Sequence, residues 1–217
     1  MSNNDSFIEE VTEEVRRDRL FRLMRRYGWI AVLLVVLLVG GAAFNEWKKA
    51  QSRSVAQTLG DEIIAALESE ESADRIAALS EISAEGDATA ILRLLRAMED
   101  VNAQRPEAAA QALSAIAADP AIPQIYRDLA VLKRAIMDAG VSPVAERSAA
   151  LQGIAVPGAP FRLLAEEQLA LIDIETDNTE AAIVRLRAIL EDGEATTGLR
   201  NRAAQLIVAL GGELEAG

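Results

Sequence analysis

Asp173, Glu175 and Asp177 place three carboxylates at alternate positions, the spacing that opens a calcium-binding loop. The pattern stops there. Asn178 stands where such a loop needs glycine for its turn, and Val184 stands where a bidentate acid should close the shell. Adjacent acids such as Glu166 and Glu167 perform acid–base chemistry only in a pocket that drives their pKa values apart; on a helical surface they are solvated. The chain has no cysteine and no histidine. That removes thiol nucleophiles, disulfides, imidazole or thiolate metal sites and every His-dependent triad. A glycine-rich phosphate loop of the Walker type is also missing. The expectation is therefore no enzyme, no metal and no cofactor, which leaves binding.

The charge balance narrows the partners. With 22 basic and 34 acidic residues the net charge is −12, and nucleic acid is not expected because phosphate binding needs clustered lysine and arginine. Residues 1–44 carry six arginines and six acids, so the whole negative excess lies beyond them. Apolar residues make up 51% and aromatic ones only 4%. Small aliphatic side chains of this kind suit closely packed helices better than sheets, and the fold class expected is all-α.

The elements that must carry a binding surface begin with an apolar run from Tyr27 to Phe44, which lacks any charged side chain. At helical rise it spans about 27 Å, close to the apolar core of a bilayer. Tyr27, Trp29, Phe44 and Trp47 stand at its ends, where amphipathic rings favour the headgroup level, so these four are the expected membrane-anchor residues. Two rivals are a buried core helix and a cleaved leader, for which Gly40-Gly41-Ala42-Ala43 supplies small residues. The long acid-bearing segment before the run argues against the leader. Arg25-Arg26 matches a twin-arginine signal only in the pair itself. Arg16, Arg17, Arg19, Arg22, Arg25 and Arg26 precede the run, against Lys48, Lys49 and Arg53 after it. That asymmetry points the amino terminus to the cytoplasm. The expected layout is a cytoplasmic segment over 1–26, a transmembrane helix over 27–44, and a periplasmic domain over 45–217 of a bacterial inner-membrane protein.

Helical spacing continues through Trp47, Val55, Leu59, Ile63 and Leu67, so the membrane helix is expected to run on into the first soluble one. An internal repeat then dominates. Leu79 and Ile82, Leu113 and Ile116, Leu151 and Ile154, and Leu186 and Ile189 each form Leu-x-x-Ile, with leucines 34, 38 and 35 residues apart. Seven residues after each leucine stands a helix breaker: Gly86, Pro120, Gly158 or Gly193. Between these second helices lie first helices through Ile91–Met98, Tyr126–Met137 and Phe161–Ile172, and a last one through Leu199–Leu210. Ser142-Pro143 reads as an N-cap with proline at the first helical position, and Asp177 with Glu180 as a capping box. A period near 34 residues is that of two-helix repeats, which stack into an array whose concave side is lined by first helices. Arg93, Arg96, Tyr126, Arg127, Lys133 and Glu167 are the candidate partner-binding residues on that side.

Ala108, Ala112, Ala115 and Pro120 resemble the small-residue signature of the tetratricopeptide class, while the other copies depart from it. With its single anchor, the chain resembles the ancillary SecYEG translocon subunit family (YfgM type). The stretch from Glu10 to Arg19, Arg26-Tyr27-Gly28, and the closing Gly198-Leu199-Arg200-Asn201-Arg202-Ala203-Ala204 are similar to its alphaproteobacterial members. This resemblance implies a single transmembrane helix followed by a tetratricopeptide-like array. It also implies a role in protein export, with the Sec translocon, periplasmic chaperones or exported clients as partners. The alternative is a structural scaffold of an envelope or cell-division complex without chaperone activity.

Overall fold

The first proline in the chain is Pro106, and without one the residues from Asn3 to Leu67 form a single helix, α1 (Asn3–Leu67). The computed structural model describes the backbone of residues 3–138 and 141–214, and the side chains of 25–30, 33–138 and 141–214. After α1 come α2 (Ser72–Glu81), α3 (Asp87–Asn102), α4 (Pro106–Ala118), α5 (Gln124–Met137) and α6 (Val144–Ile154). They are followed by α7 (Arg162–Glu175), α8 (Thr179–Glu191) and α9 (Thr197–Ala209). Helix is the only regular secondary structure among the described residues. The chain divides into two units, Met1–Gly60 and Asp61–Gly217.

In the first unit, α1 holds a window of mean hydropathy 2.3 and is long and apolar enough to cross a membrane. Side chains from Leu33 to Val39 are exposed, whereas the interior helix of a water-soluble domain buries such residues. Phe44 and Trp47 lie one turn apart with ring centroids at 6.1 Å.

The second unit is built from helices joined by short loops, each helix packing against the next. Pro106 opens α4, where its missing N–H costs nothing. The Thr196 hydroxyl caps α9 by accepting from the Leu199 amide at 3.3 Å. Two expected caps differ. Pro143 is itself the residue before α6, and the Ser142 hydroxyl donates instead to Asp138 at 2.8 Å. Asp177 is not the cap of α8 but lies in the loop just past α7, in left-handed conformation at φ 58°, and Asn178 precedes α8. Gln104 does the same between α3 and α4 at φ 55°. In both loops the next amide reaches back five residues, Arg105 to Asp100 and Asn178 to Asp173, closing the helix end in a Schellman motif.

Every leucine of the Leu-x-x-Ile copies is buried, with Leu79 at 1% exposure and Leu113, Leu151 and Leu186 at 0%. The first copy departs at its isoleucine: α2 ends at Glu81, so Ile82 is extended at ψ 126°. Gly86 and Gly158 occupy positive φ in the loops, while Pro120 and Gly193 stand just past the ends of α4 and α8. Three apolar clusters form the core. Ala90, Leu94, Leu113 and Ile116 meet Ala130 of α5; Leu132 and Ala135 of the same helix meet Leu151, Ile154 and Leu169; Ala170 of α7 meets Leu186, Ile189, Leu199 and Ile207. Helices α5 and α7 thus each serve two successive clusters from opposite sides.

The packing repeats most faithfully over two helix pairs. Ala97 and Ala170, Ala109 and Ala182, Leu113 and Leu186, Ile116 and Ile189, and Ala130 and Ala203 are each 73 positions apart, and all ten are buried. The intervening copies put arginine where Ala109 and Ala182 stand, four residues before the repeat leucine. Arg75 on α2 donates to Glu99 of α3 at 2.6 Å and to the Ser69 and Glu70 carbonyls behind it. Arg147 on α6 donates to both oxygens of Glu175 on α7 at 2.6 and 2.5 Å and to the Ser142 carbonyl. Alternate second helices are therefore seated by a small side chain and by an arginine staple.

Candidate functional site

Which side of each first helix faces its second helix follows from the polar contacts. On α3, Arg93 Nη1 donates to Asp119 at the end of α4, at 2.8 Å. On α5, Val131, Arg134 and Ala135 line a cavity of about 280 Å³ together with Ser114 of α4 and Arg147 of α6. On α7, Arg185 of α8 donates to Glu166 and Asp173, and Arg162 Nη2 donates to Asp192 beyond α8 at 2.8 Å. The calcium-like trio is thereby dispersed: Asp173 turns to α8, Glu175 to α6, and Asp177 sits in the loop.

The six candidate partner-binding residues do not share one face. Arg96 follows Arg93 by three positions and so lies on the α4 side of α3, exposed. Arg127 donates to Gln124 on its own helix, and its Nε is buried without an acceptor among the described residues. Tyr126 packs on the first core cluster. Glu167 is buried, its two oxygens accepting from Arg202 Nε and Nη2 of α9 at 2.6 and 2.8 Å. Lys133 is half-buried between α5 and α3, with Nζ 3.3 Å from the Met98 sulfur.

The side of α3, α5 and α7 away from the second helices is aliphatic. A step of two residues turns a helix by about 200°, onto the opposite face. Ile91 stands two residues from Arg93, Ile136 two from Arg134, Leu164 two from Glu166 and Leu171 two from Asp173. These four, with Ile125, are 37–50% exposed. Ile91, Ile136 and Leu164 belong to the apolar pattern of the first helices, and the structure places them on the open flank of the core. The signal for this was the charged partner two positions away.

Two aspartates are shifted alike. The amide of Ala121 and the guanidinium of Arg93 hold the Asp119 carboxyl below its ordinary value; the amide of Glu194 and the guanidinium of Arg162 do so for Asp192. Each aspartate caps the turn after a second helix and ties it to the first helix of the same pair.

Of the expected anchor residues, Tyr27, Trp29, Phe44 and Trp47 are all exposed. Arg26 lies 5.8 Å from the Tyr27 ring centroid, a cation–π distance. Arg25 is exposed as well, whereas the side chains of Arg16, Arg17, Arg19 and Arg22 lie outside the described residues. No protein-family model, curated protein or solved structure matches the chain.

Proposed function

We propose that this chain is a single-pass inner-membrane protein that binds other polypeptides through a periplasmic helical array. The observation that carries this reading is the sharing of α5 and α7 between successive core clusters. Packing in which each pair meets only its neighbours is the principle of repeat arrays, whose open faces are binding surfaces. The array is of the tetratricopeptide-like kind, and the apolar window of α1 is its anchor. The arginine-rich segment before that window stays in the cytoplasm, which puts the array across the membrane. Resemblance to the ancillary SecYEG subunit family gives the context: assistance to protein export at the translocon, or handover of clients to periplasmic chaperones. The protein acts by binding and tethering rather than by catalysis. Confinement to the membrane raises the effective concentration of the array near emerging chains without any new contact.

Photocrosslinking in native membranes, followed by identification of the adducts, tests this reading. Translocon subunits or exported polypeptides are the expected adducts. Adducts confined to envelope or division scaffolds would assign the protein to a structural complex instead.

A further inference from the structure

Eight arginines of the second unit each hold a carboxylate within 4.0 Å, and apart from Arg202, which reaches Glu167 of α7 from α9, they do so along a second helix or the loops beside it. The side away from the second helices differs in kind. Ile91, Ile125, Ile136, Leu164 and Leu171 form an exposed aliphatic ribbon across α3, α5 and α7. Lys133 lies in it, three residues from Ile136 and eight from Ile125, and its ammonium meets only a thioether at 3.3 Å. No carboxylate lies within 4.0 Å of it among the described residues. A thioether is a weak acceptor, so the lysine keeps most of its capacity to bind an anion.

We propose that this ribbon is a docking surface for an apolar polypeptide segment carrying an acidic side chain, with Lys133 fixing its register, an inference that rests on the interaction-module reading above. Aliphatic side chains of the segment cover the ribbon, which supplies affinity, and one carboxylate pairs with Lys133 in partly desolvated surroundings. Charge complementarity selects this occupant. Lys133 is the cation of this ribbon and has no carboxylate of its own within 4.0 Å among the described residues, which leaves its ammonium open to an acidic side chain of the segment. A lipid surface fits poorly, because membrane-binding faces flank their apolar residues with several cations and this ribbon offers one.

The test uses the full chain in lipid nanodiscs and a fluorescein-labelled leucine–glutamine peptide with one central aspartate, beside the same peptide with asparagine. Ile136→Asp, at an exposed position, should weaken both peptides about tenfold, as loss of a central apolar contact does. Val184→Asp, exposed on α8 and away from the ribbon, should leave them unchanged. Lys133→Met should abolish the preference for aspartate while retaining the asparagine peptide, and Lys133→Asp should prefer a central lysine in the peptide. Helical content and melting of each variant are read in parallel. The proposal is overturned if the wild type binds neither peptide, if Ile136→Asp and Val184→Asp behave alike, or if Lys133→Met keeps the preference. Adducts that persist in native membranes with Ile136→Asp would remove this surface and leave the interaction-module reading standing.

Discussion

At the scale of single residues, the array is held by a few buried side chains whose loss has unequal cost. Leu113→Ala and Leu186→Ala each empty a fully buried site and should destabilise by about 2–5 kcal/mol, read as a shift in the denaturation midpoint. The polar contacts separate by burial. Arg93 and Asp119 are 46% and 29% exposed, and Arg93→Ala should cost under about 1 kcal/mol. Glu167 is 8% exposed at its side chain, and Arg202→Ala leaves its buried carboxylate without the guanidinium that pairs with it. Stranding a buried charge costs about 3–5 kcal/mol, and because Arg202 is itself half-exposed we expect a value near the lower bound. Equal effects of the two arginine variants on the denaturation midpoint would contradict this ranking. The repeat leucines were legible from sequence because their spacing is periodic. Glu167 was not: it is adjacent to Glu166, yet one turns to Arg185 of α8 and the other to Arg202 of α9. A step of about 100° between neighbours hides that divergence from any reading of composition.

At the scale of helices and turns, the second helices are tied to their first helices by Asp119 and Asp192. Both carboxyls are held below the ordinary aspartate value of 3.8, first by a backbone amide and then by an arginine. A depressed folded value means that their contribution is complete above the ordinary value and is lost as pH falls through the folded values beneath it. The melting difference between the wild type and the Asp119→Asn, Asp192→Asn double variant should therefore be full at neutral pH and shrink below about pH 4. A difference that grows on acidification would reverse the sign of the shift. Helix identity and order were legible here, since apolar periodicity marked α3 to α9, but the finer grammar was not. Ser142-Pro143 looked like a cap because serine often is one; its hydroxyl is drawn to Asp138 instead. The two-pair period of 73 was masked by reading each copy against a single-pair repeat. It emerges at the residue four before each leucine, where arginine and alanine alternate through Arg75, Ala109, Arg147 and Ala182. Only the ion pairs reveal that the arginines staple rather than bind.

At the scale of the whole molecule, the proposed function rests on a helix long and apolar enough to cross a membrane and on the packed helix pairs of the second unit. Composition alone made the candidate span legible, because a charge-free run of that length stands out in any sequence. The open aliphatic face of α3, α5 and α7 could not be read the same way, since a repeat's exposed and buried aliphatic residues follow one periodicity and differ only in what packs over them. Orientation is the premise on which the proposed export role stands. The chain contains no cysteine, so single substitutions report on topology without background. Ser6→Cys places a thiol in the segment before the span, and Ser80→Cys places one on α2. Spheroplasts carrying each variant are treated with a membrane-impermeant maleimide, before and after permeabilisation. The account predicts that Ser80→Cys is labelled in intact spheroplasts and remains with the membrane after alkaline extraction, while Ser6→Cys is labelled only after permeabilisation. Labelling of Ser6→Cys with protection of Ser80→Cys, or release of the Ser80→Cys protein into the soluble fraction, would contradict it.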